Sequence, residues 1–276
     1  HEANLLAKQG FRSLLLVAGE HPKFVSGNYV QQCIRSCLKK IPSLLVEIAP
    51  METDDYYPIV EEGAEGVVVY QETYQRNSYK DLHPHGPKKN FDWRLDSVER
   101  GYEAGFRRLG IGALFGLHDW RHEALALAAH ALHLTKYCCN AQLSISFPRM
   151  RPAAGNFEPQ NEHLLSDRHL VQLVAALRLL LPHAAFVLST RESPYFRDSI
   201  FSLGFTNMSA GSSTEPGAYS DYSSDSWKPK REQPGEQFHI ADERSPKEIA
   251  TMLYNKGYEP VWKDFDATLV REVKIA

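Results

Sequence analysis

Short apolar runs recur along the chain, and each is followed by a segment whose apolar residues fall at helical spacing. This alternation is typical of parallel βα units and argues against an antiparallel sandwich. The runs are nearly continuous, so we expect strands that are buried on both faces. They cover residues 13–18, 44–49, 66–70, 110–115, 142–147, 185–189 and 206–210.

Seven such units, preceded by a helical segment at residues 2–10, predict an α/β fold: a (β/α)8 TIM-type barrel whose first βα unit is missing. The 276 residues are enough for one barrel domain. We expect units 2 to 8 of the barrel within residues 1–210. A loop rich in Ser, Pro and Gly at 211–235, a helix at 245–255 and a tail are expected to form a short C-terminal extension, residues 211–276, that closes the barrel.

Charge and cysteine content narrow the classes of function. A formal net charge of -3 gives no reason to expect nucleic acid or anionic lipid as a partner. The sequence has no run of about 18 apolar residues, so we expect no membrane span. Four cysteines, two of them adjacent at Cys138 and Cys139, make a poor disulfide framework, which favours a reducing compartment and a cytoplasmic protein.

Charged residues follow the apolar runs at the ends where such barrels carry their active sites. Because charged side chains are rarely buried unless they are paired or used, we expect these to converge on one mouth. The alternative is a set of salt bridges that closes the top of the barrel. The residues after the apolar runs include Glu20, Glu72, Asp119, Arg149, Arg191 and Glu192, together with the uncharged Gly19 and Gln71 and with His118.

Motifs at these positions resemble those of 2-iminoacetate synthases, the radical S-adenosylmethionine tyrosine lyases of thiamine biosynthesis. The similarity runs in order from about Gly10 to Asp266 and implies the radical SAM form of the barrel. It also identifies the C-terminal extension as a biotin and thiamin synthesis associated region. The segments that carry it are Val69-Tyr70-Gln71-Glu72-Thr73-Tyr74, Gly86-Pro87-Lys88, Trp93-Arg94-Leu95, residues 110–117 and 146–152, Ser189-Thr190-Arg191-Glu192-Ser193-Pro194 and Val261-Trp262-Lys263-Asp264.

The resemblance implies a binding site for S-adenosylmethionine. Gly19 and Glu20 match the turn that meets the methionyl amino group, although Ala18 replaces the first glycine of that motif. Arg94 matches an arginine that binds the methionyl carboxylate, a bidentate contact that lysine would not reproduce. The remaining matches place Gln71 and Glu72 at the ribose hydroxyls and Leu114 and Gly116 near the adenine. For Leu114 and Gly116, an ordinary core strand is the alternative.

For the substrate, L-tyrosine, we expect Ser189 and Arg197 to bind the carboxylate, with Arg191 as the competing cation. Arg197 would lie in the first turn of a helix beginning near Pro194, where backbone N–H groups also favour an anion. The alternative is that Arg197 pairs with Asp198 or Glu192.

Metal ligands are harder to find in the sequence. The resemblance implies a 4Fe-4S cluster held by three cysteines, but the spacing of Cys33 and Cys37 is followed by Lys40 where the third cysteine should stand. We therefore expect the cluster ligands to be absent and the chain to be an inactive fragment. His118 and His122 could share a helix face and bind zinc, but the sequence supplies no clear third ligand.

The resemblance implies cleavage of the Cα–Cβ bond of tyrosine to 2-iminoacetate and p-cresol. It further implies a reductant such as flavodoxin or ferredoxin and transfer of the product to thiazole synthase. The alternatives are the tyrosine lyase of hydrogenase maturation, a tryptophan-type lyase, and a degenerate barrel that binds a nucleoside or amino acid without catalysis. The first of these carries a cysteine-rich C-terminal domain, and no cysteine follows Cys139 here.

Overall fold

The structure is a computed structural model that describes residues 1–21, 24–150, 160–213, 219 and 240–263. A seven-stranded parallel sheet lies at its centre, and each strand is hydrogen bonded to the next one in the chain. All seven predicted strands are confirmed, with ends shifted by at most two residues. They are β1 Ser13–Val17, β2 Ser43–Glu47, β3 Gly66–Glu72, β4 Arg108–Ala113, β5 Gln142–Ser146, β6 Ala185–Leu188 and β7 Asn207–Met208.

Helices connect the strands, as the alternation predicts. They are α1 Glu2–Lys8, α2 Gly27–Leu38, α3 Thr53–Glu61, α4 Arg76–Leu82, α5 Phe91–Leu95, α6 Ser97–Ala104, α7 Trp120–Tyr137, α8 Asp167–Leu180, α9 Pro194–Ile200 and α10 Pro246–Asn255. Short 3-10 helices cover Pro87–Lys89, Asn161–His163 and Phe201–Leu203. Within the described ranges, none of these helices combines the length and the apolar character needed to cross a membrane.

Side-chain caps fix where several helices begin. The Ser166 hydroxyl accepts a hydrogen bond from the backbone N–H of His169 at the start of α8. At α10, Ser245 and Glu248 form a reciprocal capping box, which satisfies two backbone donors at once. These caps fix the first residues of α8 and α10. Most of the predicted loop at 211–235 lies outside the described residues.

The sheet has two faces of different character. Side chains alternate along each strand, and paired residues of parallel neighbours share a face. The outer face packs against the helices, and Leu44, Val46, Ile111, Ile145 and Phe186 are among its fully buried residues. We call the opposite face the inner face; its residues include Ser13, Ser43, Glu47, Tyr70, Gly110, Gly112, Ser144 and Ser146.

The expectation that the strands are buried on both faces is wrong for β1. Leu15 and Val17 on its inner face are 41% and 60% exposed. Among the described residues β1 pairs with β2 alone, so a single neighbouring strand covers the inner face here. The second edge of β1 is thus unpaired among the described residues.

Two glycines of β4 give space to larger side chains of β3. A Cβ atom on Gly110 would lie 2.7 Å from a methyl carbon of Val68, and one on Gly112 would lie 2.9 Å from the ring of Tyr70. The tyrosine ring thus crosses the inner face, and its hydroxyl donates a hydrogen bond to the Ser146 Oγ at 3.1 Å. Because Gly112 has no side chain, the Tyr70 ring can lie across β4.

We expect Gly110→Ala to lower the free energy of unfolding by roughly 1–3 kcal/mol, since the added methyl group overpacks the contact with Val68. Gly27→Ala, in the first turn of α2 and with no atom within 4 Å of the added Cβ, is the matched control. Its effect should stay within about 0.5 kcal/mol or be stabilising. Urea unfolding measures both variants, and equal stabilities would contradict the packing argument.

Candidate functional site

A cluster of ion pairs lies at the C-terminal ends of β1 and β3, where the sequence predicts the mouth. Its centre is Arg94 of α5, which is only 6% exposed. One guanidinium nitrogen donates to Glu20 Oε1 at 2.6 Å, another lies 3.6 Å from Glu72 Oε1, and Nε donates to the Tyr70 carbonyl at 2.8 Å. The structure therefore brings three of the predicted site residues together.

Glu72 has an unusual backbone conformation. Its φ angle is +69°, in the left-handed region that residues other than glycine seldom adopt. The register between β3 and β4 shifts between Tyr70 and Glu72, which indicates a bulge of the kind often found beside active sites. Such a conformation persists only where its surroundings hold it in place.

Lys88, in the 3-10 helix Pro87–Lys89, also binds the carboxylate of Glu72, with Nζ 2.6 Å from Oε1. Burial alone would raise the pKa of Glu72, but Lys88 and Arg94 together lower it below its usual value. Glu72 thus stays ionised, as a hydrogen-bond acceptor, although it is only partly accessible. The sequence motif Gly86-Pro87-Lys88 marked this segment, but we did not predict Lys88 as a site residue.

A buried carboxylate from α7 fixes the turn after Glu72. Glu123 is fully buried, and it accepts hydrogen bonds from the Tyr74 backbone N–H at 2.8 Å and from the Thr73 hydroxyl. The Tyr74 hydroxyl hydrogen bonds to Nδ1 of His130 at 2.8 Å. Sequence reasoning missed Glu123, because its partners lie 49 and 50 residues earlier in the chain.

The other predicted cofactor residues have different surroundings. Gln71 is buried, and its amide donates to the Phe91 carbonyl at 3.3 Å. The Leu114 N–H donates to the Glu72 carbonyl at 2.7 Å, so this segment lies directly beside the cluster. Gly116 has φ +124°, and a Cβ there would lie 2.6 Å from Met150. Gly19 is exposed, at the turn that precedes Glu20.

The ends of β5 and β6 carry a second pair of opposite charges. Arg149 and Glu192 are both buried and form a bidentate ion pair, and Arg149 also binds Asp167 at 2.7 Å. The Ser189 hydroxyl accepts a hydrogen bond from the Arg191 N–H at 3.2 Å. This turn brings the half-buried Arg191 within electrostatic range of Glu47 and Tyr70.

Arg197 lies at the carboxyl ends of β6 and β7, but its guanidinium already has protein partners there. The predicted helix is confirmed, since α9 begins at Pro194, but Arg197 and Asp242 are almost completely buried and form an ion pair. A further nitrogen of Arg197 donates to the Ser209 carbonyl. The alternative pairing with Asp198 is also wrong, since Asp198 binds Arg244 at 2.8 Å. Asp242 lies 45 residues beyond Arg197, so no local pattern in the sequence indicated the pair.

Glu47, at the end of β2, is a further site residue that we did not predict. It shares the inner face with Tyr70, whose pKa is raised by burial and by the nearby Glu47. The pKa of Glu47 itself is raised to about 7, mainly by burial and then by Glu72. One signal was present: Glu47 is the single charged residue in an otherwise apolar run.

The four cysteines do not form a cluster site. Cys33 and Cys37 lie on α2, whereas Cys138 and Cys139 follow α7 directly. Burial raises the pKa of Cys37, and it raises that of Cys138 to about 12, which opposes the thiolate form that binds metal. The rings of His118, His122 and His163 are neighbours, but no group of three potential ligands in the described ranges is arranged to hold a metal ion. These residues therefore do not fit an iron-sulfur cluster.

Comparison with known proteins agrees with this architecture. Residues 146–259 match the Biotin and Thiamin Synthesis associated domain. The chain is 39% identical over 271 residues to the 2-iminoacetate synthase of Escherichia coli strain K12 and, equally, to that of Salmonella typhimurium. In both cases the match covers 98% of this chain and 69% of the relative.

Solved structures show the same fold. HydG, a maturase of the FeFe-hydrogenase, superposes with a TM-score of 0.86 at 33% identity over 95% of this chain and 56% of its own. HydG from Carboxydothermus hydrogenoformans gives 0.82 at 36% identity, over 93% of this chain and 57% of its own. Methylornithine synthase, at 17% identity, supports the fold alone, with a TM-score of 0.67 over 94% of this chain and 72% of its own. The chain thus spans little more than half the length of the HydG chains.

The curled parallel sheet and its charged mouth define a TIM-type barrel of the radical SAM class, as predicted. The sequence comparison is more specific. This chain belongs to the 2-iminoacetate synthase family.

The half-buried His130, whose ring nitrogen Nε2 is buried without a hydrogen-bond partner, leads to a prediction about acid stability. Burial lowers its pKa to about 4, so below its ordinary value of 6.5 the unfolded chain takes up a proton that the folded chain excludes. Its contribution is complete above pH 6.5, and about 3 kcal/mol should be lost as the pH falls towards 4. The free energy of unfolding, measured between pH 7 and 4, should fall less steeply in His130→Gln than in the unsubstituted protein. Tyr74→Phe, the control, should lower stability at every pH but keep the steep loss.

Proposed function

We propose that the complete protein is a 2-iminoacetate synthase, which cleaves the Cα–Cβ bond of L-tyrosine to 2-iminoacetate and p-cresol for thiazole formation in thiamine biosynthesis. The identity to two curated synthases over 98% of this chain supports this activity. The arrangement of Glu20, Glu72 and Arg94 around one opening carries the proposal structurally.

These three residues fit S-adenosylmethionine. A buried guanidinium can bind the methionyl carboxylate through two parallel hydrogen bonds, and Glu20 can accept a hydrogen bond from the amino group. Glu72 can accept hydrogen bonds from two ribose hydroxyls, because an ionised carboxylate has acceptors to spare. We propose that Leu114 and Gly116 line the adenine side. Gln71 and Gly19 would act through the backbone at the two strand ends.

S-adenosylmethionine and a 4Fe-4S cluster would together supply the radical that takes hydrogen from the tyrosine amine. The cluster ligands would have to come from another part of the complete protein, since the four cysteines of this chain do not fit it. The barrel's own task is to hold the two molecules in contact and to exclude water. A reductant such as flavodoxin or ferredoxin and transfer to thiazole synthase belong to the same proposal, as does a cytoplasmic location, with which the four free thiols agree.

For the tyrosine carboxylate we now propose Arg191, the competing cation in the sequence-based prediction, with Ser189 shaping its turn. Arg197 is committed to Asp242, and releasing it would break a fully buried ion pair and leave Asp242 with Arg244 alone. Arg191 lies instead on the side of β6 that approaches Glu47 and Tyr70 across the inner face. The predicted division at residue 210 remains a proposal.

The first experiment concerns Glu72. In the complete enzyme, Glu72→Ala should weaken S-adenosylmethionine binding by about tenfold or more, because a charge-assisted hydrogen bond contributes about 1.5–3 kcal/mol. Tyrosine affinity should change much less. Equilibrium binding of each ligand is the measurement. Glu62→Ala is the control, since its ion pair with Arg35 is exposed and adjoins neither strand end of the cluster. Unchanged S-adenosylmethionine affinity would remove Glu72 from the site.

The second experiment separates the two arginines. Arg191→Lys in the complete enzyme should lower the ratio of p-cresol to 5'-deoxyadenosine sharply, because a shift of about 1 Å in the substrate can cost roughly a hundredfold in rate. Arg197→Lys should lower the melting temperature and leave that ratio near the wild-type value in the folded fraction. The opposite pattern would return the carboxylate to Arg197. Absence of p-cresol from the wild-type enzyme would overturn the proposed activity itself.

A further inference from the structure

Glu47 differs from the other carboxylates at the mouth. Glu20 and Glu72 bind Arg94, Glu192 binds Arg149, and Asp242 binds Arg197 and Arg244. In the described part of the chain, no hydrogen bond reaches the carboxyl group of Glu47, although it is largely shielded from water. A shielded carboxyl group without a fixed partner is costly unless a ligand provides one.

The position of Glu47 defines which side chains would surround such a ligand. Glu47 pairs in register with Val17, so its side chain lies on the inner face, which it shares with the site side chains of the neighbouring strands. Tyr70 lies on the same face, one strand further along. The backbone carbonyl of Glu47 accepts a hydrogen bond from Ala18, which fixes the end of β2 next to the turn of Glu20. The carboxyl group is therefore close to the proposed cofactor site but belongs to a different strand.

The surrounding charges are of both signs. Arg191, Arg94 and Lys88 act on Glu47 as positive charges and lower its pKa, whereas burial and Glu72 raise it further, to about 7. Near neutral pH the carboxyl group of Glu47 is therefore present in both its ionised and its protonated form, which is the property of a general base. Arg191 provides the opposite charge on the far side of the inner face. A carboxylate and a guanidinium separated in this way match the two ends of an amino acid.

We propose that Glu47 is a catalytic residue that binds the α-amino group of the substrate amino acid and removes one proton from it. This inference rests on the proposed function. The ammonium N–H bond breaks, its electron pair stays on nitrogen, and the proton forms an O–H bond on Glu47. The products are a neutral amine and a neutral carboxylic acid, with Arg191 still on the substrate carboxylate. Hydrogen abstraction then starts from the neutral amine.

The test uses two ligands in the complete enzyme. L-tyrosine has the amino group, and 3-(4-hydroxyphenyl)propionate is the same molecule without it. For Glu47→Gln, which keeps the size of the side chain, tyrosine affinity should fall by about 10- to 100-fold, the value of a charge-assisted hydrogen bond. The affinity for 3-(4-hydroxyphenyl)propionate should change by less than about threefold. Calorimetric titration measures both.

The pH dependence of p-cresol formation gives a second measurement. In the wild-type enzyme the rate should rise with pH through the region near 7, where Glu47 loses its proton, and Glu47→Gln should abolish that rise. Glu65→Gln is the matched control. Its carboxylate lies at the opposite end of the sheet, hydrogen bonded to Ser43 at 2.5 Å and 3.8 Å from Arg108. Glu65→Gln should leave unchanged both the ratio of the affinities for the two ligands and the pH dependence of p-cresol formation.

The outcomes separate this inference from the proposed function. Equal losses of affinity for both ligands, or a rise near neutral pH that survives in Glu47→Gln, would overturn the role of Glu47 while tyrosine cleavage stands. A wild-type enzyme that does not bind tyrosine would overturn both. A Glu47→Asp variant, which retains the charge, should recover part of the tyrosine affinity, and no recovery beyond Glu47→Gln would count against the proposed contact.

Discussion

Arg94 is a permanently charged group with almost no access to water, and the arrangement of the mouth follows from its need for partners. Glu20 at the end of β1, Glu72 at the end of β3 and a carbonyl of β3 surround it. Because these groups come from different strands, the guanidinium also joins their ends. The two ion pairs that permit the burial of Arg94 also hold the carboxylates of Glu20 and Glu72 next to each other at the mouth. Both carboxylates remain able to accept hydrogen bonds from a ligand.

Two further elements hold the arrangement in place without touching the opening. Glu123 binds the turn after Glu72 through Thr73 and Tyr74, and so supports a backbone conformation that is unfavourable by itself. On the other side of the mouth, Arg149 and Glu192 connect β5 to the turn after β6. Glu123 is buried and held by hydrogen bonds, whereas Arg149 and Glu192 neutralise each other. The residues of the inner face are thus not needed to hold the strand ends together.

Much of the fold and part of the site could be predicted from the sequence. The strands were found because buried parallel strands are short and nearly continuous apolar runs, and Glu20, Glu72 and Arg94 because they follow such runs or stand in a recognisable motif. The ion pair of Arg197 was not predicted because its partner, Asp242, is remote in sequence, and the burial of an arginine depends on that partner. Glu123 and Lys88 were missed for a similar reason. Glu47 was missed because a charge at the end of an apolar run does not by itself indicate which face it occupies.

The pair between Arg197 and Asp242 also bears on the order in which the molecule is assembled. Arg197 lies in α9, beside the turn that carries Arg191, and Asp242 and Ala241 both donate their N–H groups to the carbonyl of Thr190 in that same turn. On the ribosome, α9 emerges well before residue 242, so the arginine cannot be buried at once without a counter-charge. Arg197 therefore acquires this counter-charge only after the chain through Asp242 has been synthesised. A nascent chain interrupted before this segment would lack both the carboxylate that neutralises Arg197 and the two N–H groups that hold the turn at Thr190.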